Sequence, residues 1–290
     1  MQLKTREGSH SGLVRAPAKR LPWETGVVGS NPTPSARVPP PSSVPLVARH
    51  LAYQAHLERL SMTDQIYSYR EMCDAEKMQT LQRGMNFRLN PSYSVILMSR
   101  RSNAPYKDRI LADGVTLEYE GHDKPKTSTE ENPKYLDQPK ATRIGSLTQN
   151  GQFAQAVEQY KAKQSSPKPV KVYEKILPGV WSMKGYFDLL DYRYTFDGKR
   201  NVFLFTLRLS SNQGIDASTL TDVKHTRLIP SEVKKEVWQR DKGKCVLCGS
   251  SKNLHFDHDL PFSRGGTSLT VKNIRLLCAK CNLKKSNKVE

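Results

Sequence analysis

The chain has 290 residues, which is enough for about two domains of ordinary size. Its formal net charge of +18 indicates a polyanionic partner, and nucleic acid is the leading candidate. No stretch approaches the ~20 apolar residues that span a bilayer, and the N-terminus lacks the apolar run of a signal peptide. We therefore expect a cytoplasmic protein without membrane segments.

The first part of the chain, residues 1–60, has no periodic apolar pattern and is rich in Gly, Pro, Ser and Arg. Such a composition predicts a disordered extension. The run Gly29-Ser30-Asn31-Pro32 is also what the T-arm of a transfer RNA gene would encode if it were read as protein. An alternative hypothesis is therefore that translation begins downstream, at Met62 or Met72.

Residues 61–209 predict a mixed α+β domain. One helix is expected over residues 61–81, with Thr63 as its N-cap, and another over residues 150–161. The β-like runs between and after them predict a curved, largely antiparallel sheet or barrel with flanking helices. These runs are residues 93–98, 115–119, 170–176, 185–194 and 201–209.

A polar linker over residues 210–228 separates this domain from a C-terminal domain, residues 229–290. The C-terminal domain contains two Cys-x-x-Cys pairs whose spacing suits one structural Zn²⁺ in tetrahedral coordination. The four cysteines are Cys245, Cys248, Cys278 and Cys281. The remaining cysteine, Cys73, is expected to be an ordinary half-buried side chain, and an unpaired cysteine indicates a reducing compartment.

Between the two cysteine pairs lies a second group of polar residues. His255-Phe256-Asp257-His258 is followed by Gly265-Gly266 and Asn273, and Asn282 comes directly after the last cysteine. This arrangement, over residues 230–288, resembles the HNH (ββα-metal) endonuclease family. The resemblance implies a small zinc-stapled domain that hydrolyses DNA, cutting one strand at each site.

Phosphodiester hydrolysis requires an activated water and relief of the negative charge that builds on the phosphate. By the resemblance, His258 is the general base, because imidazole titrates near neutral pH. Asp257 and Asn282 would hold one Mg²⁺ or Mn²⁺ ion, and Asn273 would brace the loop that carries the histidine. His255 shares a strand face with Asp257, so it either contacts metal or phosphate or simply packs beside the site.

Basic residues around this site are candidate contacts to DNA phosphates, which would give affinity without reading sequence. Each is equally compatible with a solvated surface charge. The candidates are Arg264, Lys280, Lys284, Lys285 and Lys288.

The preceding domain resembles the SRA (SET and RING-associated) family, whose fold flips a modified cytosine out of duplex DNA. The resemblance rests on segments that follow one another in the family's order: residues 114–123, 137–138, 147–154, 169–173, 185–192 and 203–209. It implies that Tyr106 and Tyr119 stack on the flipped base and that Asp108 accepts a hydrogen bond from the cytosine amino group. The alternative is that both tyrosines are ordinary half-buried sheet residues.

Together the two resemblances predict a modification-dependent DNA endonuclease. It would bind double-stranded DNA that contains 5-methylcytosine or a related base, and it would act as a homodimer or by pairing on DNA. Two alternatives remain open. One is an HNH restriction or homing-type nuclease that reads unmodified DNA, and the other is a non-catalytic methyl-DNA binding protein whose zinc module only adds affinity.

Overall fold

A computed structural model describes residues 64–101, 104–126, 132–210, 228–260 and 264–285. The predicted N-terminal extension lies outside these residues, as does the linker apart from its two ends. The described residues fall into a sheet domain, residues 64–210, and a nuclease module, residues 228–285. The boundary between them remains a prediction.

The sheet domain is built on an eight-stranded sheet in the order β2-β3-β6-β7-β8-β5-β4, with β1 paired to β7. Among the described pairings only β3 with β6 is parallel, so the prediction of a curved, largely antiparallel sheet is confirmed. The strands are β1 Ile66–Tyr67, β2 Met85–Asn90, β3 Tyr93–Met98, β4 Arg109–Ile110, β5 Thr116–Glu120, β6 Lys168–Leu177, β7 Val180–Phe196 and β8 Asn201–Leu209.

Two helices accompany the sheet. Helix α1, Tyr69–Ala75, begins at a capping box in which Ser68 accepts a hydrogen bond from the Glu71 backbone. It is shorter than predicted at both ends, because the two residues of β1 pair with β7 and the helix already ends at Ala75. The predicted N-cap, Thr63, lies outside the described residues. Helix α2, Gln149–Lys161, agrees with the prediction and begins at the N-cap Thr148.

The core of the sheet domain lies between α2 and the sheet. Phe153, Ala154 and Val157 form one face of α2, as their helical spacing predicts, and they are buried against sheet residues such as Leu117 and Phe205. The packing fixes the start of α2 next to the end of β5, where the cleft described below is located.

The nuclease module contains a hairpin flanked by two helices. Helix α3, Ser231–Arg240, precedes strands β9, Leu254–His258, and β10, Ile274–Cys278, and helix α4, Ala279–Lys285, follows directly. The strands pair antiparallel. A small apolar core that includes Val237, Leu254 and Leu276 joins the hairpin to α3. Among the described helices, none combines the length and the apolar character that crossing a bilayer requires.

Candidate active site and base-binding cleft

The four predicted zinc ligands lie together. Their sulfur atoms are all within 4.8 Å of one another, and the sulfurs of Cys248 and Cys278 are 3.6 Å apart. A tetrahedral site with Zn–S bonds of about 2.3 Å places its sulfurs roughly 3.8 Å apart. Four thiolates at this separation fit a structural zinc ion.

Local backbone geometry builds this cluster. Gly249 adopts φ +74°, which a glycine tolerates without strain, and its N–H donates to the Cys245 carbonyl at 2.8 Å. Burial alone would raise the pKa of Cys245, but hydrogen bonds from backbone N–H groups lower it to about 6. At Cys245 the turn therefore favours the thiolate, which is the form that binds zinc. Because Cys278 ends β10 and Cys281 lies in α4, the ion would hold the hairpin and the last helix together.

Asp257 and His258, the two residues expected to carry the chemistry, end strand β9. Neighbouring strand residues point to opposite faces, so the aspartate and the histidine are presented on different sides of the hairpin. Nε2 of His258 lies 2.8 Å from Oγ of Ser268, a residue that is completely buried. The serine hydroxyl thereby restrains the ring, a role that the sequence analysis did not assign to it.

The carboxylate of Asp257 forms an ion pair with a lysine of the same chain. The ammonium of Lys285 lies 2.5 Å from Oδ2 of Asp257, and it also donates to the His258 carbonyl. Lys285 is 3% exposed. In this structure it is therefore a buried partner of the predicted metal ligand, whereas the sequence suggested an exposed contact to a DNA phosphate.

Asn282 lies in α4, three residues before Lys285. Residues at this separation share a helix face, and the Lys285 contact shows that this face is turned toward β9. The carboxylate of Asp257 and an amide on this face offer the oxygen ligands that suit Mg²⁺ or Mn²⁺. The donor set thus fits a divalent ion.

Asn273 braces the chain that leaves β9. Its amide nitrogen donates to the carbonyls of Leu260 and Thr267 at 3.2 and 2.9 Å, and its Oδ1 accepts from the Leu260 N–H at 2.8 Å. The same loop requires Gly266, because a Cβ there would lie 1.9 Å from the Leu260 carbonyl oxygen. These contacts hold the segment directly after the histidine.

The remaining predicted residues of the module differ in exposure. His255 is only 4% exposed, and its backbone forms a bridge to Gln65 in the sheet domain. This placement favours packing beside the site over contact with DNA. Arg264, Lys280 and Lys284 are exposed, as phosphate contacts need to be. Lys288 lies outside the described residues.

A cleft of about 1050 Å³ opens in the sheet domain beside the N-terminus of α2. Tyr106 lines it, as do His122, Asp123 and Lys134. The rings of Tyr106 and His122 are stacked, with centroids 4.8 Å apart and planes within 8° of parallel. Lys134 Nζ lies 4.0 Å from the centroid of the Tyr106 ring. The cleft therefore combines aromatic surface with positive charge.

His122 also contacts the second predicted stacking residue. Tyr119 is 1% exposed, and its hydroxyl lies 3.0 Å from Nε2 of His122. Burial raises the pKa of Tyr119 well above its usual value and lowers that of His122 to about 4. The imidazole is therefore neutral near pH 7 and contacts both tyrosines that the sequence predicted to enclose a base. The sequence analysis did not identify this residue.

Asp108 is held by the backbone. Its two carboxylate oxygens accept from the N–H groups of Ser99 and Glu120, at 3.1 and 3.3 Å. Burial outweighs these hydrogen bonds and raises its pKa to about 7. Both oxygens face the protein backbone, so a role in reading a base remains a prediction.

Asp123 is one of two aspartates that line the cleft, the other being Asp137. It forms ion pairs with Arg200 at 2.6 Å and Lys134 at 2.9 Å, and Gln138 donates to it at 3.3 Å. Arg200 is itself 3% exposed. Arg200 and Lys134 thus neutralise the Asp123 carboxylate, and Lys134 also contacts the Tyr106 ring.

Comparison with known proteins supports the assignment of the C-terminal module. Residues 245–288 match the family model described as HNH endonuclease. The prediction that the chain contains an HNH endonuclease domain is confirmed. None of the curated proteins matches the chain.

Solved structures that are similar to this chain include proteins of two kinds. The SRA domain of SUVH5 in complex with hemimethylated CG DNA is 18% identical, covers 50% of this chain and 84% of its own, and has a TM-score of 0.34. SUVH6 of Arabidopsis thaliana is 18% identical, and the match covers 60% of this chain and 28% of the SUVH6 chain with a TM-score of 0.36. ScoMcrA, a type IV phosphorothioation-dependent restriction endonuclease, is 13% identical, and the match covers 77% of this chain and 55% of the ScoMcrA chain with a TM-score of 0.34. With TM-scores this low, these similarities do not assign a fold or a function.

Proposed function

We propose that the protein is a modification-dependent DNA endonuclease, in which the sheet domain binds a flipped modified cytosine and the HNH module cuts nearby. The observation that carries the proposal is the end of β9, where Asp257 and His258 lie between two cysteine pairs that could hold zinc, in a segment that matches the HNH endonuclease model. The net charge of +18 suits a DNA partner.

In the cutting step, His258 would accept a proton from the attacking water. Its hydrogen bond to Ser268 orients the ring before the substrate arrives. Asn273 keeps the adjoining loop in place. Asp257 and Asn282 would hold Mg²⁺ or Mn²⁺, and that ion, when bound, would offset charge on the phosphate oxygens. Lys285, which contacts the Asp257 carboxylate in this structure, would be repelled by a bound ion, and its ammonium would then be available to a DNA phosphate.

In the reading step, the cleft receives the flipped base. Base flipping costs a few kcal/mol of lost stacking and pairing, and the pocket must return that energy through aromatic contact and hydrogen bonds. Tyr106 can provide the aromatic contact. An inserted base needs about 7 Å between two flanking rings, whereas Tyr106 and His122 are 4.8 Å apart. Binding would therefore require the base to displace His122 or to stack on the outer face of the pair.

The protein is proposed to act in pairs on DNA, because one HNH site cuts one strand and a double-strand break needs two sites acting in opposite directions. Nicked circular plasmid as the persistent product, at high as well as low enzyme concentration, would contradict this pairing.

The decisive experiment is digestion of methylated and unmethylated copies of one plasmid in a series of Mg²⁺ and Mn²⁺ concentrations. We expect cleavage of the methylated copy only, and its loss in the His258→Ala variant by roughly two to four orders of magnitude. Lys252→Ala, an exposed change on the same module, is the matched control and should cut normally.

Each alternative gives a different result. Equal cutting of both plasmids would favour a nuclease that reads unmodified DNA. A parent protein that binds methylated DNA but never cuts with either metal would favour a non-catalytic binding protein. Normal cutting by His258→Ala would show that another group acts as the base.

A further inference from the structure

The sheet domain and the nuclease module meet through buried charges. Lys234 of α3 is completely buried. Its ammonium lies 2.5 Å from Oδ1 of Asp64, two residues before β1 of the sheet domain, and 2.9 Å from the hydroxyl of Ser182 in β7. A lysine of the nuclease module is thus fully desolvated against two residues of the sheet domain.

This contact belongs to a larger network. Ser231, also in α3, donates to Glu174 of β6, and Glu174 pairs with Lys184 of β7 at 2.6 Å. Both partners of that pair are buried. Burial alone would raise the pKa of Glu174, but Lys184 and Lys234 lower it to about 2, so the carboxylate remains ionised. The charges of the sheet and of α3 therefore compensate one another.

Backbone hydrogen bonds also join the sheet domain to the nuclease module at Asp64. The Asp64 N–H donates to the Met183 carbonyl of β7 at 2.8 Å, and its carbonyl accepts from the Phe256 N–H of β9 at 3.1 Å. Next along the chain, Ile66 packs in the apolar core of the nuclease module. Phe256 directly precedes Asp257. One short segment of the sheet domain is therefore bonded both to the sheet and to the strand that carries the catalytic residues.

Buried charges of this kind favour one geometry. Sliding or hinging at the interface would separate Lys234 from Asp64 and leave a desolvated charge unpaired, which is strongly unfavourable. An apolar interface has no such directional requirement. A network in which each charge has a partner can therefore specify a single arrangement of two domains.

We propose that Lys234 and Asp64 are positioning residues that lock the nuclease module onto the sheet in one orientation, so that the cut falls at a fixed distance from the recognised base. The fixed distance rests on the proposed function, whereas the rigid connection does not depend on it. A module on a flexible tether would instead cut over a range of distances.

The test compares Lys234→Met with Lys235→Met. Lys235 is the next residue of the same helix, and it pairs with Glu232, a largely exposed partner, at 2.9 Å. Two quantities are measured for each protein: hydrogen exchange of the Phe256 amide in the free protein, and the positions of the cut ends on a DNA with one 5-methylcytosine site. Zinc content shows whether each variant retains its folded module.

We expect the parent and Lys235→Met to cut at one narrow offset and to protect the Phe256 amide. Lys234→Met should scatter the cut ends and speed exchange of that amide by about tenfold or more. An unchanged offset together with unchanged exchange in Lys234→Met would overturn the proposal. If Lys234→Met loses zinc, the double variant Asp64→Asn/Lys234→Gln, which removes the charges but keeps hydrogen-bonding groups, is judged by the same two outcomes.

The two measurements separate the hypotheses. A parent that does not cut methylated DNA contradicts the proposed function, while hydrogen exchange still tests the locked interface. A parent that cuts methylated DNA at scattered positions supports the proposed function and contradicts the lock.

Discussion

The ammonium of Lys285, the last residue of α4, lies 2.5 Å from the carboxylate of Asp257. It neutralises the negative charge of the residue that is expected to hold the catalytic metal. The lysine is 3% exposed, and it also donates to the His258 carbonyl. A divalent ion bound to this carboxylate would lie close to the ammonium, and the two positive charges would repel each other. Metal binding is therefore a competition between two cations.

Replacing Lys285 with methionine should tighten Mn²⁺ binding by roughly tenfold, because the ion no longer has to displace a positive charge from Asp257. Without metal, the variant should be less stable by about 1–2 kcal/mol, since Asp257 is partly exposed and loses its partner. Thermal unfolding with and without Mn²⁺ measures both effects. Lys284→Met, at an exposed position, is the control. A metal-induced shift in Tm no larger than that of the parent would contradict the competition.

The cysteine cluster predicts about one bound zinc per chain. Cys278→Ser should remove that zinc and open the nuclease module to proteolysis, because the ion joins the hairpin to α4. Cys73→Ser is the matched control, since Cys73 is buried in the sheet domain and is not part of the cluster. It should destabilise the sheet domain while leaving the zinc content unchanged. Metal analysis of the purified proteins distinguishes the two, and full zinc content in Cys278→Ser would show that the ion is held differently.

The sequence predicted the parts of the structure that depend on local pattern. Helix α2 was found because its apolar residues recur at helical spacing around Phe153. The cysteines were found because zinc ligation requires a particular residue type at a particular spacing. The predicted helix over residues 61–81 was wrong at its start, because Ile66 pairs with Ser182, more than one hundred residues away. Pairing between distant residues leaves no trace in local periodicity.

The side-chain contacts of the site could not be predicted from the sequence. The contact between His258 and Ser268, and that between Asp257 and Lys285, both join residues that are distant in sequence. Serine and lysine have many roles in proteins, so neither residue type marks such a contact. His122 was missed for a similar reason. It lies within residues 114–123, one of the segments on which the resemblance rests, but only the fold brings its ring against Tyr106.

Ser268→Ala should lower kcat for DNA cleavage by roughly tenfold and leave KM nearly unchanged. The expected loss corresponds to one hydrogen bond of about 1.4 kcal/mol that orients the His258 ring during proton transfer. Thr267→Ala is the control, because its hydroxyl accepts from the Leu269 N–H and is not the group that contacts His258. Steady-state kinetics on a methylated oligonucleotide provide both constants. A change in KM alone would assign Ser268 to DNA binding.

The buried imidazole of His122 should make stability depend on pH. Its pKa falls from an ordinary value of 6.5 to about 4 in the folded protein, chiefly because burial disfavours the charged ring. The unfolded chain therefore binds a proton that the folded protein excludes, and the stabilisation present above pH 6.5 is lost as the pH falls toward 4. Between pH 7.5 and 5, this amounts to a loss of about 2 kcal/mol in the free energy of unfolding.

The His122→Phe variant isolates this effect, since phenylalanine keeps an aromatic ring against Tyr106 but cannot be protonated. It should be somewhat less stable than the parent at pH 7.5, because the Tyr119 hydroxyl loses its partner. On acidification, however, it should lose about 2 kcal/mol less than the parent. Urea unfolding at the two pH values measures the difference. Identical losses in both proteins would place the imidazole in water, and would then argue against a closed Tyr106–His122 pair that a flipped base has to open.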